Sequence, residues 1–199
     1  MKSSCQPIEP ENSENRQTQA IDKADIKPTK TRTAVLDIVL FGLFTAILFA
    51  VQVGLAFLPN IELVTPLLIV FTLVLGKKVF APLYAFVVLE GIFYGFHIWW
   101  IAYLYVWAVL VMITLLLKKL DSAFLFAVTA AIFGLLFGTM TSLPYLFIGG
   151  WEMFVTTVVA GLSFDLVHCA GNFALTLILY RPLKLLLSKL YKTPQRGQY

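Results

Sequence analysis

Residues 79–117 read VFAPLYAFVVLEGIFYGFHIWWIAYLYVWAVLVMITLLL, a stretch with one carboxylate, Glu90, one histidine, His97, and no lysine or arginine. Apolar runs of about 18 residues or more read as helices that cross a bilayer. Two such runs, 79–96 and 99–117, meet here at Phe96-His97. This pattern decides the fold class, because a pair of helices this poor in charge belongs in lipid.

Working outward, similar punctuation recurs. Leu58-Pro59-Asn60, Gly76-Lys77-Lys78, Lys118-Lys119-Leu120-Asp121 and Gly149-Gly150 delimit further apolar segments at 34–58, 61–76, 123–147 and 164–180. Residues 151–161 read as an interfacial piece. Gly161-Leu162-Ser163 interrupts the long final stretch, Ser163 offers a helix cap, and Asp165 suits the first helical turn. The composition agrees: 59% of the 199 residues are apolar and 13% are charged, against roughly 45–50% and 25% in soluble domains. A water-soluble globule is excluded, and no length remains for an ATPase domain. Residues 1–33 carry 6 of the 15 Lys+Arg and 5 of the 11 Asp+Glu, which predicts a disordered tail rather than a signal peptide. The expected organisation is that tail, a six-helix transmembrane domain over 34–190, and a short cytoplasmic tail over 191–199.

Lysine and arginine remain in cytoplasmic loops, so their positions give orientation. Lys77, Lys78, Lys118 and Lys119 fall in alternate connections, and Arg181, Lys184, Lys189, Lys192 and Arg196 follow the last span. With both termini cytoplasmic, all 15 basic residues lie on one side of a plasma membrane. No interleaved basic and aromatic stripe points to nucleic acid. Cys5 and Cys169 are too far apart in sequence and context to suggest a disulfide framework or a metal knuckle.

Ionisable side chains within a span cost roughly 2.5–3.5 kcal/mol on insertion scales, so those present usually face a cavity or a partner. Glu62, Glu90, His97, Asp165 and His168 all map to the outer half, with Asn60, Trp99, Trp100, Tyr145, Trp151 and Glu152 at the same level. Tyr94 and Tyr103 belong to the aromatic cluster over 93–107, and Asn172 extends the face of Asp165 and His168. Trp100, Tyr103 and Trp107 recur at helical spacing. An interfacial belt or core packing accounts for such rings, and so does the wall of an outward-facing pocket that stacks on a ring-bearing ligand. No HExxH spacing, GxSxG elbow or GxxxxGK[ST] loop is present, so neither a metal nor a catalytic residue is assigned.

Gly42, Ala46, Ala50 and Gly54 recur every four residues along the first span. Small residues at that spacing let two helices approach closely in lipid. The stripe serves either internal packing or a partner.

Three elements resemble the substrate-binding S component of energy-coupling factor (ECF) vitamin transporters. The span from Asp37 to Ala50 is similar to the family's first helix with its Ala-xxx-Ala motif, here Ala46 and Ala50. Asn60-Ile61-Glu62-Leu63-Val64-Thr65 resembles the outer start of the second helix. Ser163-Phe164-Asp165-Leu166-Val167-His168, continuing through Asn172 to Leu179-Tyr180-Arg181-Pro182-Leu183, resembles the last helix and its basic exit. The resemblance implies a non-catalytic, cofactor-free protein that captures a vitamin. It also implies partnership with a transmembrane coupling protein and two ATP-binding subunits, with the Ala46 and Ala50 face as the docking surface. The second and third strings look most like cobalamin-type members, so cobalamin or a related corrinoid or precursor is the expected cargo. Riboflavin, folate, thiamine, biotin, pantothenate and queuosine types are the alternatives within the family. A corrinoid needs a wide cup, whereas the aromatic density from Trp99 to Tyr103 suits a flat bicyclic vitamin. Outside the family, the residues also admit an intramembrane enzyme using Glu90, His97, Asp165 and His168, or a carrier protonated at Glu62 or Glu90.

Overall fold

The computed structural model describes residues 30–58 and 61–192, and all its regular elements are helical. Helix α1 spans Lys30–Gly54, α2 Val64–Leu75, α3 Phe80–Tyr94 and α4 Ile98–Leu117. The helical stretch Ala123–Lys192 is broken at Gly150 (φ 70°, ψ −164°) into α5, 123–149, and α6, 151–192. Only glycine adopts that conformation at little cost. Four stretches, Val35–Gly54, Val64–Tyr94, Ile98–Leu117 and Ala123–Tyr191, are long and apolar enough to cross a membrane.

Helix α2 is the centre of the bundle. Ten of its twelve residues are buried, and it packs against the long α5–α6 stretch and α4. It has no polar face because it has no solvent or headgroup to meet. Pro66 sits in its first turn, where a missing amide proton costs nothing. A short 3-10 turn, Gly76–Val79, carries Lys77 and Lys78 and joins it to α3.

Burial gains little hydrophobic free energy when the alternative is lipid, so close packing and side chain to carbonyl hydrogen bonds carry the association. Phe44 stacks on Phe71 at 4.4 Å. The Thr45 hydroxyl donates to the Pro82 carbonyl at 3.2 Å, tying α1 to α3. Tyr84 donates to the Leu104 carbonyl at 3.2 Å and Tyr105 to the Met140 carbonyl at 2.6 Å, adding α3–α4 and α4–α5 ties.

The basic end carries two ionic clasps. Lys78 meets Asp37 at 2.7 Å. Asp121, between α4 and α5, accepts hydrogen bonds from Lys184 and from the Tyr180 hydroxyl. Those two contacts hold its carboxyl below the usual carboxylate range.

Several sequence expectations need correction. Helix α1 begins at Lys30, inside the segment expected to be a tail; the remainder of that segment, 1–29, lies outside the described residues. No break separates 151–161 from a final span: α6 is continuous from 151 to 192, and Ser163 is exposed in its interior rather than capping it. Gly161 is tolerated because an isolated glycine costs a helix only about 1 kcal/mol. The helix also passes the expected domain end at 190, and residues 193–199 lie outside the described residues.

Candidate ligand-binding site

At the end of the bundle opposite Lys77, Lys78, Lys118 and Lys119, the helices diverge around a cavity of about 530 Å³. Its floor and sides come from five of the six helices and the α1–α2 connection. Helix α1 contributes Gln52; Leu55, Ala56, Leu58, Ile61 and Glu62 come from the α1–α2 connection; α3 supplies Glu90 and Tyr94. Helix α4 supplies Trp99, Tyr103 and Trp107, α5 Phe137, and α6 His168. Pockets that hold small organic ligands are commonly about 300–1,000 Å³, mainly apolar, with a few placed polar groups.

One wall is a continuous succession of rings. Trp99 meets Tyr103 edge-on at 5.1 Å, and Tyr103 meets Trp107 at 5.6 Å. Trp107 then lies 5.6 Å from Phe137, which meets His168 at 5.0 Å. Each such pair contributes about 0.5–1.5 kcal/mol beyond area burial, so the wall is held in one shape before anything binds. Gln52 is a hydrogen-bond partner of Tyr103, linking α1 to that wall.

The polar groups divide into matched and unmatched sets. His168 Nε2 stands 3.2 Å from Glu62 Oε1, and Glu62 Oε2 accepts the Thr65 amide at 2.9 Å. The imidazole donates to Glu62 with its Nε2 proton, and Nδ1 has no partner among the described residues. Glu90 is 2% exposed, and its Oε1 has no hydrogen-bond partner among the described residues. The same holds for the indole nitrogen of Trp107, also 2% exposed. Such orphans are uncommon in native interiors, where buried polar groups are nearly always satisfied.

The structure brings together Glu62, Glu90, Tyr94, Trp99, Tyr103 and His168 from the sequence candidates, and the remaining candidates among the described residues lie off the cavity lining. Trp100 turns away from the cavity. Its Nε1 donates to the Val87 carbonyl at 2.8 Å, and the ring packs where Gly91 leaves space against α3. Asp165 is buried at the α5–α6 contact, where Oδ1 accepts the Gly138 amide at 3.0 Å. A side chain at Gly138 would take the carboxylate's place; a Cβ there would stand 2.7 Å from Oδ1. Asn172, one turn beyond His168, is 1% exposed and does not line the cavity; neither of its amide atoms has a partner among the described residues. His97 is exposed on the α3–α4 turn set by Gly95 (φ 91°), Trp151 is 69% exposed after the Gly150 break, and Tyr145 does not reach the lining. Asn60 lies outside the described residues.

Gln52, Leu55, Ala56, Leu58, Ile61 and Phe137 also line the cavity without having been singled out as candidates. Gln52 had a signal, as the lone strongly polar side chain between Thr45 and Pro59. Phe137 had none. Among the described residues, no three His, Cys, Asp or Glu side chains converge as metal ligands would.

The small-residue stripe of α1 faces away from the bundle. Gly42, Ala46, Ala50 and Gly54 are all exposed, and a Cβ on Gly42 or Gly54 would meet nothing within 4 Å. The side that packs inward carries Phe44, Thr45 and Leu48. Internal packing therefore does not account for the stripe. Compared with protein families, curated proteins and solved structures, the chain matches none.

Proposed function

We propose that this chain captures a small ring-bearing vitamin at the outer face of a cell membrane as the substrate-binding subunit of an ECF-type importer. In this reading it crosses the membrane six times with both termini cytoplasmic. The carrying observation is a cavity of about 530 Å³, walled by aromatic rings and open at the end opposite the basic loops. The positive-inside rule makes that end the external one. The bare α1 stripe supports the second half of the reading: a smooth face is free for the coupling protein, while ATP hydrolysis belongs to two partner subunits.

The cavity volume bears on cargo. Pockets of about 300–1,000 Å³ enclose drug-sized molecules, and a corrinoid with its side chains far exceeds that class. A flat mono- or bicyclic vitamin therefore suits the site better than cobalamin, which would require the helices to part. The enzyme alternative needs Glu90, His97, Asp165 and His168 around one point. Only Glu90 and His168 share the cavity.

Mass spectrometry of small molecules retained by the gently purified chain tests the capture step, with a stoichiometric heteroaromatic metabolite expected. Uptake should require coexpression of a coupling protein and two ATP-binding subunits. Accumulation of the same compound by cells expressing this chain alone would refute the proposal.

A further inference from the structure

Three polar atoms on cavity-lining residues are unmatched among the described residues, His168 Nδ1, Glu90 Oε1 and the Trp107 indole nitrogen; the last two have opposite hydrogen-bonding sense, and together they describe the ligand. Glu90 Oε1 accepts and the Trp107 indole nitrogen donates; both side chains are 2% exposed, both line the cavity, and neither atom has a partner among the described residues. The opposite carboxylate is already engaged, since Glu62 holds His168 Nε2 and the Thr65 amide. A buried carboxylate oxygen without a donor is among the costliest arrangements a protein interior carries. A leucine at position 90 would fill a structural role without that cost. Phe86 and Val87, one turn before Glu90 on the same helix, are completely buried and show that the helix interior there favours apolar side chains.

We infer that the ligand is a flat heteroaromatic ring whose N–H edge is bound by Glu90 and whose neighbouring acceptor atom is bound by the Trp107 indole N–H. The inference rests on the reading of the cavity as a ligand cup and deepens it by naming the ring's polar edge. A ring of this kind carries an amino-substituted nitrogen edge beside a carbonyl or ring nitrogen. Its faces stack on the Tyr103 and Phe137 side of the wall, while its edge meets two groups that lack protein partners. An anionic ligand edge is disfavoured at that point, because it would face the Glu90 carboxylate at close range.

The test uses the full chain purified in detergent, isothermal titration calorimetry, and three bicyclic probes. The probes are 2-aminoquinazolin-4(3H)-one, with the donor edge and carbonyl; 2-methylquinoline, with no N–H; and quinoline-2-carboxylate, with an anionic edge. The first should bind at least about tenfold more tightly than the second, and the third should not bind. Glu90→Gln should weaken the first probe by about 10- to 100-fold and leave 2-methylquinoline unchanged. Trp107→Phe should weaken the first probe by about 2- to 10-fold. Should Glu90→Gln fail to fold, the wild-type ranking and Trp107→Phe still decide the matter. Equal binding of all three probes, or preference for the carboxylate, overturns this inference and leaves the cup reading standing. Failure of every ring to bind overturns both.

Discussion

Gly134 and Gly138 sit where α5 crosses α6, and the backbone of α6 is the nearest neighbour of Gly134. A Cβ at Gly134 would stand 2.9 Å from the carbonyl carbon and oxygen of His168 and 3.0 Å from the Cys169 amide nitrogen. Ordinary contact begins at 3.4 Å, so Gly134→Ala requires a local retreat of α6 by the difference, 3.4 − 2.9, or about 0.5 Å. Backbone atoms cannot rotate out of the way as a side chain does. His168 moves with them, so its 3.2 Å approach to Glu62 lengthens by up to that amount, to at most about 3.7 Å, which is beyond hydrogen-bond range. Overpacking of this kind costs about 1–3 kcal/mol. Alanine also gains about 0.8–1.0 kcal/mol of helix propensity over glycine, so a reference variant is needed. Gly161→Ala supplies it, since a Cβ there meets nothing within 4 Å. Both variants share the propensity gain, so Gly134→Ala should lie about 1–3 kcal/mol below Gly161→Ala. Unfolding by sodium dodecyl sulfate titration in mixed micelles, followed by far-ultraviolet circular dichroism, reads the difference, and calorimetry reads the accompanying loss of ligand binding. Equal stability of the two variants with unchanged binding in both would refute the idea that the α5–α6 contact positions His168.

Three further outcomes are expected. Ala46→Trp or Ala50→Trp should leave ligand binding intact and abolish energised uptake, because bulk on the exposed α1 stripe blocks helix approach; lost binding in both would mean that the stripe packs within the bundle. Asn172→Leu should raise the thermal midpoint, since it removes two buried polar atoms that lack partners among the described residues, a burden of about 1–3 kcal/mol. A lower midpoint would show that the amide is satisfied in the working protein. The Asp121 carboxyl is held below its ordinary range by Lys184 and Tyr180. Its clasp should therefore contribute fully above the unfolded value of about 3.9 and be lost as pH falls through the lower folded value. The stability gap between wild type and Asp121→Asn should stay constant from pH 7 to pH 5 and close in stronger acid; a gap that changes near neutrality would contradict this account.

Helix positions were legible wherever glycine or a lysine pair punctuates the chain. Gly76-Lys77-Lys78 is the 3-10 turn, and Gly149-Gly150 marks the sharp break. Gly161-Leu162-Ser163 misled because a glycine and a serine weaken a helix without ending it, and long α6 packing supplies the rest. The carboxylates that meet the cavity were visible as charges out of place, Glu62 and Glu90 above all. Their partners were not. The pairing of Glu62 with His168 spans more than a hundred positions, and the periodic trio Trp100, Tyr103 and Trp107 separates in space. Gly91 opens a seat for Trp100 on α3, while the other two rings stay with the cavity. Asp165 read as a functional acid, yet it serves a glycine amide across a helix crossing, a role that appears only once both helices are placed.

The four tryptophans of the chain are unevenly distributed about its cavity. Trp99 and Trp107 line it, Trp100 is anchored on the Val87 carbonyl, and Trp151 is 69% exposed beyond the Gly150 break. A guest sitting against the first two alters their emission, while Trp151 contributes a steady background that a phenylalanine would remove. If the cavity takes the proposed ligand, those two rings form an optical gauge of its filling, readable without any attached dye.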